Sequence, residues 1–293
     1  LVKIACYVES YNFSDPQEMQ ALLKFKKTAE KMKHEFDFLW KQNLGDIPHY
    51  NSLFIRATTD PLYTAYIVSK IGWENGLKVL DTPHSIKVCS NKIHMYRLLE
   101  RNNIPLIPTV ILTKEQLHHR FIEEAFKKLG CPLVVKAPYT SFSKYVEKVR
   151  CETSFRNVCK RFFRKSDIVV LQKFVPTLFD WRVGVLNEEI LYVCRYVMPK
   201  GKWKHGMKLR GKSKFIWGRT TSISRYAAPE KLKEVALKAC KAIGNNDLFG
   251  VDIKEVDGHY YVVEVNDNPS IYSGYEDAKD KDIYQKIIEA LTD

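Results

Sequence analysis

The first eighty residues alternate between short apolar runs and longer amphipathic stretches. Val2–Val8 is a run of branched, aromatic and small apolar side chains, which predicts a buried strand. Gln17–Lys33 places Met19, Leu22, Leu23, Phe25 and Ala29 close to a helical repeat. Asp15-Pro16 just before it supplies an N-cap followed by proline at the first helical position. Phe36–Trp40 and Ser52–Ile55 predict strands, Tyr63–Trp73 a helix ending near Gly76, and Lys78–Leu80 a short strand before Asp81-Thr82-Pro83. Strand, helix, strand, strand, helix, strand is the order of a small α/β unit with a largely parallel sheet.

The texture then changes. Ser90–Asn102 reads as a helix capped by Ser90 and stopped by Ile104-Pro105, and Phe121–Leu129 as another helix. Cys131–Lys136 (CPLVVK) predicts a buried strand that pairs with Val146–Val149 across the loop Ala137–Tyr145. Ser154–Phe163 predicts a helix and Ile168–Phe174 a strand. Trp181–Leu186 and Ile190–Val197 predict a hairpin around Asn187-Glu188-Glu189. Pro229–Ile243 predicts a helix with Gly244 as its C-cap. Leu248–Lys254 and Tyr260–Val265 predict strands joined at Val256-Asp257-Gly258-His259, and Tyr284–Leu291 a last helix. Helices mixed with antiparallel hairpins make an α+β pattern, with no internal repeat or low-complexity tract. The chain divides into residues 1–86, an N-terminal α/β domain; 87–170, a linker helix and first subdomain; and 171–293, a second subdomain bearing the acidic cluster discussed below.

Composition narrows the classes. A chain of 293 residues suits two or three compact units, and 45% hydrophobic with 28% charged residues excludes a disordered tail protein. No apolar run approaches the ~20 residues of a membrane span. Leu1–Ser10 reads as a strand and not as a signal peptide; the start at Leu1 in place of Met suggests trimming. Cys6, Cys89, Cys131, Cys151, Cys159, Cys194 and Cys240 are odd in number and scattered, which predicts buried, reduced thiols and a cytoplasmic protein. The net charge of +13 is concentrated. Between Ile190 and Pro229 there is no Asp or Glu, against Arg195, Lys200, Lys202, Lys204, Lys208, Arg210, Lys212, Lys214, Arg219 and Arg225. Such a patch attracts nucleotides, acidic peptides or nucleic acid, or is a solvated basic hairpin.

The sharpest candidate chemistry lies near the end. Glu264 and Asn266 are two apart on one predicted strand and so face the same way, and Asp252 on the preceding strand can lie opposite them. Three hard oxygen donors among Val and Ile suit Mg²⁺; solvated acids on an edge hairpin are the bland alternative. Lys136, ending its strand before a polar loop, can reach a phosphate, although lysines often merely snorkel there. Arg182 and Arg195 stand in otherwise apolar strands and each needs an anion. Asp180 is the expected structural partner of Arg182.

In chain order, Asn91-Lys92, VVKAP, a polar loop, LQKFVP, DWRVGVL, CRYVMP, FGVDI and EVNDNPSI together resemble the ATP-grasp superfamily. They look most like its RimK-type ligases, especially the subgroup with a distinctive N-terminal domain, whose tail Gly274-Tyr275-Glu276-Asp277-Ala278 also resembles. The resemblance implies an ATP-grasp fold after the α/β domain and a carboxylate–amine (or thiol) ligase working through an acyl-phosphate to ADP and phosphate. It implies that Lys92 and Lys136 bind nucleotide phosphates, and that the loop 139–145 with Ser141, Ser143 and Lys144 closes over them. Gln172, Lys173, Phe174 and Val175 would form the hinge against adenine, and Asp180 would line the site. Arg182 would line the site with it, Arg195 would approach the γ-phosphate or the acyl-phosphate, and the two arginines would be the catalytic residues. Asp252, Glu264 and Asn266 would hold two Mg²⁺, with Mn²⁺ as the alternative. Two departures stand out: the phosphate loop has no glycine, and Lys173 replaces the usual hinge acid. They motivate a second reading, a nucleotide-binding scaffold without turnover. A third, a nucleic-acid binder stacking bases on Trp203, Phe215 and Trp217, leaves the acidic cluster unexplained. On the first, Lys202, Lys204, Lys208, Arg210 and Arg219 would recruit an acidic small molecule, peptide or protein, and the chain would self-associate.

Overall fold

The computed structural model describes residues 1–139, 145–208, 215–245 and 247–293. Its N-terminal unit is the expected α/β layer. Strands β1 (Lys3–Tyr7), β2 (Glu35–Leu39), β3 (Ser52–Ile55) and β4 (Lys78–Leu80) form a parallel sheet in the order β2-β1-β3-β4. Helix α1 (Pro16–Lys31) follows β1. Its cap is the predicted one: the Asp15 carboxylate accepts from the amides of Gln17 and Glu18, with proline at N1. Helix α2 (Thr64–Glu74) leads from β3 to β4.

Two helices follow where one was expected. Thr82-Pro83 starts α3 (Pro83–Cys89), and Ser90 is its C-cap. Helix α4 (Lys92–Arg101) is capped by Asn91, whose side chain accepts from the amides of Ile93 and His94. The expectation that Ser90 caps this helix is therefore corrected.

The next unit is a four-stranded antiparallel sheet, β5-β8-β6-β7, from β5 (Thr109–Thr113), β6 (Leu133–Lys136), β7 (Val146–Val149) and β8 (Ile168–Lys173). Helices α5 (His119–Leu129) and α6 (Glu152–Phe162) pack on one face through Ile122, Leu129, Phe155 and Phe162. The predicted β6–β7 pair is present, with Leu133 opposite Val149 and Lys136 opposite Val146. Strand β5 was not foreseen.

The last unit is a five-stranded antiparallel sheet, β13-β10-β9-β14-β15, from β9 (Phe179–Leu186), β10 (Glu189–Val197), β13 (Thr220–Ile223), β14 (Leu248–Val256) and β15 (His259–Asp267). A small hairpin, β11 (Gly206–Lys208) with β12 (Phe215–Trp217), interrupts it. The β9–β10 turn puts Asn187 and Glu188 at φ of 49° and 62°, and the β14–β15 turn puts Asp257 and Gly258 at 51° and 75°, the left-handed backbone that tight hairpins require. Tyr192 lies across from Gly184, and any Cβ at Gly184 would enter its ring.

One face of this sheet, with Trp181, Val183, Val193, Val251 and Val265, packs on α4 and on α7 (Glu230–Ile243). The other face is divided. Leu186, Tyr192, Cys194 and Leu248 join α1, α8 (Ile283–Thr292) and one side of the parallel sheet in a single apolar core. The remainder, with Arg182, Tyr196, Asp252, Glu264 and Asn266, is polar. Alternation along a half-buried strand produces this division, because residues two apart share a face.

All seven cysteines are free. Five are buried as expected, whereas Cys131 and Cys151 are exposed at the base of the β6–β7 hairpin. Among the described residues no helix is long and apolar enough to cross a membrane.

Candidate active site

The centre of the site is the β14–β15 pairing. Asp252 lies directly opposite Glu264, and Gly250 opposite Asn266. A bulge follows at Asp252/Ile253, and the Val263 carbonyl accepts a hydrogen bond from the Tyr96 hydroxyl at 2.7 Å. The Asn266 amide donates to Asp252 Oδ2 at 3.2 Å and to the Gly250 carbonyl at 3.1 Å. The three oxygen-bearing side chains predicted to converge therefore do so.

Three cations converge on them from separate elements. Arg182 on β9 reaches across to Asp252 with a two-point grip, Nε to Oδ1 at 2.7 Å and Nη2 to Oδ2 at 2.9 Å, and its guanidinium lies over the Tyr196 ring. Lys92, the first residue of α4, places Nζ 2.7 Å from Glu264 Oε1. Lys136, at the end of β6, is buried and donates to the Tyr96 hydroxyl at 3.0 Å. Burial pulls Lys136 below the usual ammonium range, and Glu264, Asp252 and Asp180 oppose that pull. Burial also raises both carboxylates, but with opposite results. Lys92, Lys136 and Arg182 more than offset it at Glu264, which ends below its ordinary value. Asp252 stays above its ordinary value despite Arg182. Burial works against the charge on Arg182, and Asp252 more than restores it.

Asp252 does not leave Arg182 for Asp180, so the expected Arg182–Asp180 pair is corrected. Residues two apart on one strand are neighbours along it, whereas Asp252 stands directly across the ladder. Asp180 instead accepts from Lys254 Nζ at 2.6 Å and from the Thr177 hydroxyl at 2.7 Å.

Arg195 is the second correction. It lies opposite Trp181 in the ladder, on the face away from Arg182 and Asp252, and is exposed. Its guanidinium stacks 4.6 Å from the centre of the Trp181 ring and 4.7 Å from that of Phe179. The odd-numbered face of β10 points away from the carboxylates, so two aromatic rings take the place of the expected anion.

Gln172 is buried with its side chain in the site, its amide donating to Thr109 Oγ1 at 3.1 Å and to the Tyr96 hydroxyl at 3.4 Å. Lys173 is exposed, and its backbone N–H donates to the Pro108 carbonyl. Phe174 and Val175 line a cavity of about 290 Å³ with Lys148, Pro176, Thr177, Gly201, Lys202 and Trp203. Phe174 meets Trp203 edge to face, and Lys148 lies over both rings.

In the basic segment, Lys202 and Arg219 are exposed. Lys204 is not a free surface cation: it is partly buried and donates from Nζ to the Val146 carbonyl at 2.5 Å, so its assignment to recruitment is corrected. Burial lowers it to about 8. Lys208 ends β11 and only its backbone is described, and Arg210 lies outside the described residues, as do Ser141, Ser143 and Lys144.

Tyr96, Lys148, Tyr196 and Lys254 were not singled out from the sequence, and Trp203 was singled out only as a base-stacking aromatic. Tyr96 had a signal, since it lies four residues after Lys92 on one helix and so shares its face. Lys148 had one also, opposite Val134 and on the same face as Lys136.

Asp252, Glu264 and Asn266 fit a hard divalent cation: two carboxylates and an amide oxygen, aimed to one side and matched to cationic groups. Among the described residues no three His, Cys, Asp or Glu side chains gather into a group that could hold a metal ion.

Residues 89–291 match the RimK-like ATP-grasp domain. Glutamate--LysW ligase ArgX of Sulfurisphaera tokodaii is 24% identical over 279 residues, covering 90% of this chain and 92% of that protein. Alpha-aminoadipate--LysW ligase LysX of Saccharolobus solfataricus is 29% identical over 243 residues, covering 80% and 81%. Among solved structures, D-alanine--D-alanine ligase from Bacillus anthracis complexed with ATP superposes with a TM-score of 0.70 at 18% identity, covering 100% of this chain and 96% of that one.

Proposed function

Because the chain belongs to the RimK-like ATP-grasp family of carboxylate–amine ligases, we propose that it uses ATP and Mg²⁺ to activate a carboxylate as an acyl-phosphate. The γ-phosphorus bond to ADP breaks as a carboxylate oxygen takes the phosphoryl group. An amine (or thiol) of the second substrate then attacks the acyl carbon, inorganic phosphate leaves, and the attacking atom gives up its proton. The observation that carries this assignment is the meeting of Lys92, Lys136 and Arg182, from three separate elements, on Asp252 and Glu264.

Phosphoryl transfer asks the protein for position and charge and not for a nucleophile. Lys92 and Lys136 would bind the phosphate oxygens from the two sides of the cleft. Arg182, held in plane by Asp252 and Tyr196, would face the transferred group. Asp252, Glu264 and Asn266 would hold the divalent cation, two ions being the expectation, which neutralises phosphate charge when bound. The cavity beside Phe174 and Val175 would take the purine, with Trp203 and Lys148 as its wall. Lys136 is already desolvated by burial, so it would lose little more on being enclosed with a phosphate, whose charge would favour the ammonium form.

For the substrates, the two relatives are named for joining glutamate or alpha-aminoadipate to LysW. The pairing carried over here is an amino acid with a peptide or protein partner of acidic character. Lys202 and Arg219, exposed in a stretch without acids, are the groups that would recruit it.

The test is ADP release from ATP and Mg²⁺ with pooled amino acids, small thiols and an acidic peptide, each followed by mass spectrometry. ADP together with a condensation product is expected, and Glu264→Ala should abolish both while staying folded, with a lowered melting temperature because buried Lys92 loses its carboxylate partner. Turnover persisting in Glu264→Ala would remove Glu264 from the metal site. Nucleotide binding without ADP under every substrate would favour a scaffold.

A further inference from the structure

The match to the family begins at residue 89, yet the end of the strand carrying Glu264 and Asn266 is held by residues before it. Strand β15 ends at Asp267, and Asn268 follows with φ of 44°, in the left-handed region. Asparagine takes this conformation more readily than most residues other than glycine, because its short polar side chain can be held by hydrogen bonds. The N-terminal unit supplies hydrogen bonds from three places. The Asn268 N–H donates to Asp81 Oδ2 at 2.6 Å, after β4. The Asn268 side-chain amide donates to the Ala57 carbonyl at 2.7 Å, after β3. The Asn268 side-chain oxygen accepts from Arg56 Nη1 at 2.5 Å, and Arg56 Nη2 donates to the Pro269 carbonyl at 3.1 Å.

Arg56 is the unusual member. It is 5% exposed and lies over the Phe54 ring, and its guanidinium is aimed at two neutral oxygens of one loop. Burying a cation is expensive, and apolar packing would join the two units at lower cost. A planar fork spanning two successive residues does what packing cannot: it fixes both the rotation of Asn268 and the path of Pro269. Asn266 stands two residues earlier, on the same strand as Glu264 and within the β14–β15 ladder, so the constraint acts at the end of the strand that carries both.

We propose that Arg56 is a positioning residue for the metal-binding strand, acting through Asn268 on Asn266 and Glu264. The proposal rests on the ligase assignment for the nature of the ligand, and extends the working site into the segment before residue 89. Groups that orient metal ligands from behind typically carry about ten- to a hundredfold in metal affinity or activity.

The experiment uses the whole chain, with Mn²⁺ as a paramagnetic probe and a non-hydrolysable ATP analogue. Mn²⁺ affinity in the presence of the analogue is read by electron paramagnetic resonance, and metal-free nucleotide binding by calorimetry. Arg56→Met and Asn268→Ala should each weaken Mn²⁺ about tenfold or more, with metal-free nucleotide affinity retained. Arg56→Lys, which keeps the charge but cannot span two acceptors, should restore only part of the loss. The double variant should lose less than the sum of the two singles, since the Arg56–Asn268 contact is common to both. Should Arg56→Met fail to fold, Arg56→Lys and Asn268→Ala carry the same comparison. Unchanged Mn²⁺ affinity in the folded variants, or fully additive losses, would overturn the proposal. A parent that binds neither Mn²⁺ nor nucleotide would instead take the ligase assignment down with it.

Discussion

At the scale of single residues, alternation within a strand decided most of what could be foreseen. Glu264 and Asn266 share a face because they are two apart, and Asp252 joins them because the Asp257-Gly258 turn sets the register. The same rule correctly separates Arg182 from Arg195, but only once the ladder shows which parity faces the carboxylates. Partners across a sheet, such as Asp252 for Arg182, are invisible until strand order is known. The two faces make a direct contrast. Lys136→Ala removes a buried cation beside Glu264, and losing one charge-assisted contact worth about 1.5–3 kcal/mol should weaken ATP binding about ten- to a hundredfold. Arg195→Ala removes only stacking on Trp181 and Phe179 at an exposed site, about 0.5–1 kcal/mol of stability, and should leave ATP affinity unchanged. Calorimetric titration of both variants with ATP and a thermal melt check this; weakened binding in Arg195→Ala would restore its original assignment. Lys204 offers a pH test. Folding lowers it from 10.5 to about 8. Below pH 8 the folded and unfolded chains both hold its proton, and the burial penalty is present in full. Between pH 8 and 10.5 the unfolded chain binds more protons, so stability gains with rising pH from this group. Lys204→Met should remove that gain, seen as a smaller rise in denaturation midpoint from pH 8 to pH 10 than in the parent.

At the scale of elements, capping and turn signals located most segments, and failures came where one signal hid another. Thr82-Pro83 opens a helix in the way Asp15-Pro16 does, but its seven residues end where the next helix begins, so α3 was not foreseen and its C-cap, Ser90, was taken for the N-cap of α4. Strand β5 has Thr at both ends and a half-buried pattern, and only pairing with β8 defines it. The element that matters most to the site is β14 at Gly250, where sheet and loop approach closely. A Cβ there would stand 2.6 Å from the Pro269 Cβ and 3.0 Å from Arg182 Nη1. Gly250→Ala should therefore overpack this point, at about 1–3 kcal/mol. Because one of the displaced groups grips Asp252, ADP formation should fall by more than the stability loss explains. Assaying the variant well below its melting temperature separates the two effects, and full turnover there would show that Pro269 yields without moving Arg182.

At the scale of the whole molecule, the three sheets were legible because each draws on one stretch of sequence, residues 3–80, 109–173 and 179–267. Their assembly was not, since long-range packing leaves little trace in local pattern. Helix α8, the last element, returns to the first. Ile283, Ile287, Ile288 and Leu291 pack with Leu22 and Phe25 of α1 and with Ile4 and Phe54 of the parallel sheet, and Tyr284 meets Phe25 edge to face. Lys24 on α1 reaches Asp277 Oδ2 at 2.5 Å, which ties the Gly274–Ala278 segment to the same helix. Leu186, Leu191, Tyr192 and Leu248 of the five-stranded sheet complete that core. The boundary expected at residue 86 thus separates strands but cuts through packing. A fragment of residues 89–293 keeps every proposed nucleotide ligand while uncovering one whole side of α8 and the apolar half of the sheet face. Each large aliphatic or aromatic side chain returned to water costs about 1.5–3 kcal/mol, and several together exceed the stability of an ordinary domain of about 5–15 kcal/mol. The fragment should therefore lose cooperative unfolding, bind hydrophobic dyes and fail to bind ATP, as calorimetry and dye fluorescence would register. A fragment that melts cooperatively and binds ATP as the whole chain does would mean that the N-terminal sheet is a removable attachment. Should that fragment also bind Mn²⁺ with the affinity of the whole chain, the grip of the N-terminal unit on Asn268 could not be what sets the metal ligands.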